Sequence, residues 1–397
     1  MKKFVRTVCL AVAACLFASI VACNNGGEDC QLITEDSEYK LVERQTPKTV
    51  YKIWTEATGG ENSMMIGGFW GPFTKDPNAS GADIVNGIEA PDFVTDYYFQ
   101  LMKDAGVNLF FATGSYWGWE GVEEALDLSE KYDIGYMGLD GTIYNWTAQN
   151  AAPGITAERF ATQIAPFIDH PACAGIYVFD EPFMPQYAAI GEIAELFYSS
   201  RDGQIVANTV AGYQGFGARH SGYDYYGEID KYITDTHARY VCADIYNWGD
   251  VAAATDYLSI LSDTYRVTRA HNIPLMVMMQ SGGNFSDVND VTSEDYYPTE
   301  GQFMWNYNLA LAYGVKGILF FPLFQPSNYS NVQGGRDFHS SGLIGADGSI
   351  NQWYYYAKKA NSYTRFIEEI LMNASCEGVM VSGELLAAEL DKQTDRE

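Results

Sequence analysis

Eight apolar runs recur between residues 64 and 324: MMIGGFW (64–70), GVNLFFATG (106–114), YDIGYMGLD (132–140), AGIYVFDEP (174–182), GQIVANTV (203–210), YVCADIYN (240–247), IPLMVMMQSGG (273–283) and GVKGILFFPLF (314–324). Their starts lie 42, 26, 42, 29, 37, 33 and 41 residues apart. Each interval is too long for a hairpin and long enough for one helix with its loops. Helical patterning is visible in DFVTDYYFQLMKDA, GVEEALDLSEK, TAERFATQIAPFI, AAIGEIAELFYS, AAATDYLSILSDTYRVTRA and TEGQFMWNYNLALAY. Unbroken apolar runs belong to strands buried on both faces, and their alternation with amphipathic helices implies a parallel sheet. Eight such units predict an α/β chain folded as a (β/α)8 barrel. An open doubly wound sheet is the rival, but polar and aromatic residues end nearly every run, which favours closure. With 397 residues, 47% of them hydrophobic, a core of that size is within reach.

The ends of the chain read differently. MKKFVRTVCLAVAACLFASIVAC has a basic start, an apolar stretch and small residues before a cysteine, the pattern of a bacterial export signal. Ile20-Val21-Ala22-Cys23 resembles a lipobox, which makes Cys23 the expected lipid-bearing residue and anchors the protein in the outer leaflet of a membrane at the periplasm or cell surface. The expected organisation is a signal over 1–22, a tether and lead-in over 23–60, a barrel over 61–372 and a tail over 373–397. In that tail EGVMVSGE reads as the remnant of a C-terminal β-domain. The net charge is −27, and cleavage before Cys23 takes it to −30 by removing Lys2, Lys3 and Arg6. Such a balance argues against nucleic acid as a partner. The cysteines form no CxxC pair and have no histidine at ligand spacing, so neither a metal nor another cofactor is expected.

In a barrel of this kind the residues that end the strands form the active-site mouth. Taken in order they are Phe69 and Trp70; Tyr116, Trp117 and Trp119; Asp140 with Tyr144 and Trp146; Asp180 and Glu181; Asn208; Asp244, Tyr246, Asn247 and Trp248; Gln280 and Asn284; and Phe324, Gln325 and Asn328. Carboxylates, carboxamides and indoles dominate, without a Ser–His pairing or a glycine-rich phosphate loop. Carboxylates and amides hydrogen-bond hydroxyls, and flat aromatic rings pack on the C–H face of a sugar, so a carbohydrate is the expected ligand.

The Asp180-Glu181-Pro182 stretch resembles the fourth strand of the glycoside hydrolase clan A barrels, where Asn-Glu-Pro carries the acid/base glutamate. Asp180 stands where Asn is usual, and Glu181 matches the acid/base. GVKGILFFPLF resembles the eighth strand of these enzymes, and SGLIGADGSINQWYYYAKKANSY (341–363) the turn and helix after it. The DEP form is similar to glycosidase-like lipoproteins of gut Bacteroidetes. The resemblance covers roughly residues 60–370 and implies a barrel of the usual size. One position departs from it. Clan A enzymes end the seventh strand with a nucleophilic glutamate, and this chain has Gln280 there.

Glu181 is therefore the expected general acid, kept protonated by partial burial beside Asp180. The second carboxylate is expected from Asp244 first and Asp140 second. Asp180 is expected to orient Glu181 or bind a hydroxyl. Asn208, Tyr246, Gln280 and Asn284 are candidate substrate contacts, and Trp70, Trp117, Trp146 and Trp248 are candidate sugar platforms. Two functions follow: an exported glycoside hydrolase acting on an oligo- or polysaccharide, or a non-catalytic carbohydrate-binding lipoprotein on a degenerate glycosidase barrel. The glutamine on the seventh strand favours the second.

Overall fold

The computed structural model describes residues 56–60, 62–74, 91–112, 121–149, 155–201, 203–211, 224–246, 251–282, 298–325, 342–376 and 378–379, with the backbone of a short strand pair at 84–85 and 88–89. The chain divides into two units, Met1–Arg44 and Gln45–Glu397, and every described residue belongs to the second.

The strands are β1 (Met65–Gly68), β2 (Leu109–Phe111), β3 (Gly135–Leu139), β4 (Cys173–Phe179), β5 in two pieces (Ile205–Asn208 and Val210–Ala211), β6 (Val241–Ile245), β7 (Leu275–Gln280) and β8 (Gly317–Phe321). Each falls on one of the eight apolar runs, and all pairings in this sheet are parallel. The first strand pairs with the last, Met65 opposite Gly317. The first piece of β5 pairs with β4 and its second piece with β6, Ala211 opposite Asp244. The ring thus closes through a single residue, Thr209, which separates the two pieces. This is the expected barrel, with the fifth strand shared piecewise between its neighbours.

The helices are α1 (Asp96–Asp104), α2 (Val122–Tyr132), α3 (Gly141–Ala148), α4 (Ala157–Ile164), α5 (Met184–Tyr198), α6 (Tyr225–Thr236), α7 (Val251–His271), α8 (Glu300–Ala312) and α9 (Gln352–Asn373). Sequence patterning shows six of them, the family resemblance implies α9, and α3 and α6 are missed. The α6 stretch YYGEIDKYITDT mixes Gly, Asp and Thr, all weak helix formers. Its helix exists because Ile229, Tyr232, Ile233 and Thr236 bury one face and the Asp224 carboxylate accepts the Gly227 N–H at 2.8 Å as an N-cap. Glu300 lies in the first turn of a helix. It opens α8 behind the N-cap Thr299, which bonds reciprocally with Gln302, and it pairs with Lys359 at 2.6 Å.

The strands are apolar on both faces because the inward side chains fill the barrel and the outward ones meet the helices. Large buried rings, among them Phe99, Phe110, Phe111, Tyr177, Phe303 and Tyr307, supply much of this contact. Each contributes about 1.5–3 kcal/mol in area removed from water. Gly175 has a φ of +153° and no room for a side chain, since a Cβ there would lie 2.0 Å from the Ile205 carbonyl oxygen.

The N-terminal end of the barrel is closed by a hydrogen-bonded floor. Asn108 accepts the Ile66 N–H at 2.8 Å and donates to the carbonyls of Thr58 (2.8 Å) and Met64 (3.1 Å). Thr58 ends a 3-10 turn, Glu56–Thr58, and is fully buried, so the last residues of the expected lead-in are part of this floor. From α9, Arg365 donates to the carbonyls of Met64 (2.7 Å) and Gly106 (2.7 Å) and pairs with Glu368, which accepts the Met64 N–H. The Lys316 ammonium is hydrogen-bonded to the carbonyls of Leu371 and Ala374 at the end of the same helix. The expected signal, Cys23, and nearly all of the tail, EGVMVSGE included, lie outside the described residues. No described helix is long and apolar enough to cross a membrane.

Candidate active site

At the opposite end an aromatic layer underlies the mouth. Phe69 and Phe111 pack against Tyr177 at 5.4 and 5.2 Å between ring centroids, and Phe321 joins Phe69, Trp70 and Tyr246 at 5.8, 4.7 and 5.1 Å. These rings come from β1, β2, β4, β8 and the end of β6, so the ring of strands is what assembles them.

Above this layer β4 delivers its two acids. The pairing of β4 with β5 slips between Tyr177 and Phe179, which places an extra residue on β4 just before Asp180. Bulges of this kind bend a strand and re-aim the side chains that follow. Asp180 Oδ1 accepts from the Tyr177 hydroxyl at 2.8 Å and from the Thr209 hydroxyl at 2.6 Å. Burial raises its pKa above the ordinary carboxylate range, partly offset by those two donors. Glu181 has a φ of +42°, a left-handed conformation that few residues with a Cβ adopt. Its N–H donates to Thr209 Oγ1 at 3.3 Å, and its side chain is half-buried.

Asp244 approaches from β6, across the seam in β5. Its carboxyl lies within hydrogen-bonding reach of Glu181, and its pKa is pushed well above the ordinary range. Burial is the chief cause, followed by the negative charges of Glu181 and Asp180, while the Tyr246 hydroxyl acts in the opposite sense. One carboxyl oxygen, Oδ1, is buried with no hydrogen-bond partner among the described residues. Two carboxyls in contact cannot both ionise without a large repulsion, so at neutral pH the pair holds one proton in common.

The remaining candidates divide. Asn208 is buried and its Oδ1 accepts the Phe179 N–H at 3.1 Å, which supports the β4 end from behind. Tyr246 stands beside Asp244, with its hydroxyl 3.3 Å from Met278 Sδ. Gln280 is buried and donates to the Gly282 carbonyl at 3.0 Å. Asp140 departs from the role expected of it. It is the N-cap of α3, its carboxylate accepting the Ile143 N–H at 2.8 Å, and its own first turn occupies it. Trp70 departs too. Only 6% of it is exposed and its ring packs at a tilt against Phe321, so it belongs to the aromatic layer rather than to a sugar platform. Trp146 is half-buried on α3 with the Arg159 guanidinium 4.9 Å above its ring. Trp117, Trp248 and Asn284 lie outside the described residues. Thr209 and Tyr177, which hold Asp180, were not found from sequence. A threonine and a tyrosine inside VANTV and GIYVF read as ordinary strand residues, and only the ring closure brings them together. Among the described residues, no cluster of three or more His, Cys, Asp or Glu side chains is placed to hold a metal ion.

No protein-family model matches the chain, and no curated protein matches it. Solved structures do. The β-galactosidase of the psychrophilic Marinomonas ef1 superposes with a TM-score of 0.53 at 12% identity, over 78% of this chain and 62% of its own. The β-glucuronidase of Ruminococcus gnavus gives 0.48 at 12% identity over 76% of this chain and 50% of its own, and its complex with an N1-substituted uronic isofagomine gives 0.46 at 14% over 75% and 48%. This chain spans less than two thirds of these neighbours' length. At such identities the similarity to the galactosidase establishes the fold, a TIM barrel of the type found in glycosidases. The chemistry has to come from the side chains.

Proposed function

We propose that this chain is a glycoside hydrolase acting outside the cytoplasm on an oligo- or polysaccharide, with Glu181 and Asp244 as its working carboxyls. The observation that carries this reading is the contact between those two groups at the C-terminal mouth, where barrel enzymes keep their chemistry. Glycoside hydrolysis needs one carboxyl that gives a proton to the leaving oxygen and one that acts as carboxylate. The two stand about 5–5.5 Å apart for retention and about 6.5–9.5 Å for inversion. Here they touch, so a sugar entering the mouth has to part them. The proton that burial keeps on Asp244 in the resting pair passes to the half-exposed Glu181 as the sugar enters, and Glu181 then gives it to the glycosidic oxygen as the C–O bond breaks. Asp244, left as the carboxylate, takes up the proton of the water that completes the reaction. The aromatic layer beneath excludes water from the pair and strengthens the electrostatics between them. Export and anchoring through Cys23 belong to the same reading, motivated by the residue 1–23 pattern. Incorporation of labelled fatty acid that disappears in Cys23→Ala is the expected result.

A second reading keeps carbohydrate binding without turnover. It is favoured by the buried Gln280 at the end of β7, whose amide cannot serve as a nucleophile. One experiment separates the two. Parent, Glu181→Gln and Asp244→Asn proteins are assayed for hydrolysis across a glycan panel and for binding by calorimetry. The enzyme reading expects a fall in kcat of about 10²–10⁴ in each variant with binding retained. Binding by the parent with no turnover on any glycan establishes the second reading, and neither binding nor turnover sinks both.

A further inference from the structure

Thr209 occupies the one position where the ring of strands changes partners, and its fully buried hydroxyl touches both acids of β4. A hydroxyl has one proton. At 2.6 Å from Asp180 Oδ1 that proton goes to the carboxylate, which leaves the oxygen lone pairs facing the Glu181 N–H at 3.3 Å. The Tyr177 hydroxyl gives its own proton to the same Asp180 oxygen at 2.8 Å and lies 3.4 Å from Thr209 Oγ1. The backbone at residue 181 is strained, with a φ of +42°, and conformations of this kind persist only where the surroundings over-determine them. Two groups flank it: the cap of α5 behind, where Gln186 accepts the Phe183 N–H at 2.9 Å, and Thr209 in front.

We propose that Thr209 is a positioning residue for the carboxyl pair, its hydroxyl holding the residue-181 backbone in the left-handed region and so aiming Glu181 at Asp244. The proposal rests on the reading of these two acids as the working pair. Thr209 touches no reacting atom. It acts by keeping Asp180 and the Glu181 amide in one rigid group across the seam.

Valine has the shape of threonine without the hydroxyl, and serine keeps the hydroxyl without the methyl. The test is a pH titration of the full chain labelled with ¹³C at its aspartate carboxyls, followed by NMR, with the Asp244 signal identified by its loss in Asp244→Asn. In Thr209→Val the Asp244 midpoint is expected to fall by about one pH unit or more, as Glu181 swings away. In Thr209→Ser it is expected to stay at the parent value. A Thr209→Val protein that titrates like the parent overturns the proposal, and so does a Thr209→Ser protein that titrates like the valine variant. If Thr209→Val does not fold, Thr209→Ala against Thr209→Ser carries the same comparison. Where a substrate has been found, Thr209→Val should lower kcat about tenfold or more with KM changed less than about threefold, and serine should restore most of it. The titration needs no substrate. A chain inactive on every glycan therefore removes the glycosidase reading while Thr209 is still decided by the NMR result.

Discussion

The two ends of this barrel are built on opposite principles. At the floor, Asn108, Arg365, Glu368 and Lys316 meet partners of matching character at nearly every polar atom, and a single asparagine ties three backbone segments together. At the mouth, three carboxyls gather around one threonine, and one buried oxygen has no partner among the described residues. Backbone strain divides in the same way. Of the five described non-glycine residues with positive φ, Asp133, His237 and Asn272 follow the ends of α2, α6 and α7, where a left-handed residue commonly finishes a helix. The other two, Trp70 and Glu181, follow β1 and β4 at the mouth. The floor is arranged for stability, and the mouth holds repulsion and strain that the floor sustains.

If that division is right, substitutions at the two ends should move stability in opposite directions. The largest effect is expected from Asn108→Ala, which strands the Ile66 N–H and two carbonyls in the interior. It should cost on the order of 3–5 kcal/mol in urea unfolding. Asp244→Asn should do the reverse. The folded-state pKa of Asp244 is raised, so the stability it contributes is complete below the ordinary carboxylate range and lost as pH rises through the raised value. The variant should therefore melt above the parent at alkaline pH, with the gap closing toward about pH 4. A melting temperature lowered at every pH would instead make Asp244 a structural acid.

Glu228 extends the comparison to the helix layer. It is buried on α6 near Tyr187 of α5, and burial raises its pKa to about 7 from 4.5. Its contribution is complete below about pH 4.5 and lost through about pH 7, so Glu228→Gln should gain up to about 3 kcal/mol over the parent at pH 8 and little at pH 4. The smallest effect is expected at Glu181. Glycine accepts a φ of +42° without strain, so Glu181→Gly should stabilise by about 1 kcal/mol in chemical unfolding.

Most of the architecture was legible in the sequence because a strand buried on both faces has to be written in apolar residues. All eight runs carry strands. The boundaries that shifted did so for local reasons, such as the proximity of Asp180 and Glu181 to a bulge that ends β4 at Phe179. The site was less legible. Glu181 and Asp244 could be nominated because acids ending apolar runs are conspicuous. Asp140 looked the same and serves as a helix cap, a distinction that depends on whether the next residues turn at once into a helix. Trp70 reads as a platform, yet the fold buries it in the aromatic layer. Thr209 left no signal at all, since its role arises from two segments of one strand parting to different neighbours.

The pairing of β1 with β8 sets a condition on how the chain can be made. Met65 and Gly317 are partners, so during synthesis one border of the first strand waits bare until the ribosome has delivered the last one. Arg365 then ties the starts of β1 and β2 together from α9, later still. Such a distant closure is slow and leaves sticky backbone open to other chains in the meantime, which makes the border of β1 the place where a holding chaperone would do most for this protein.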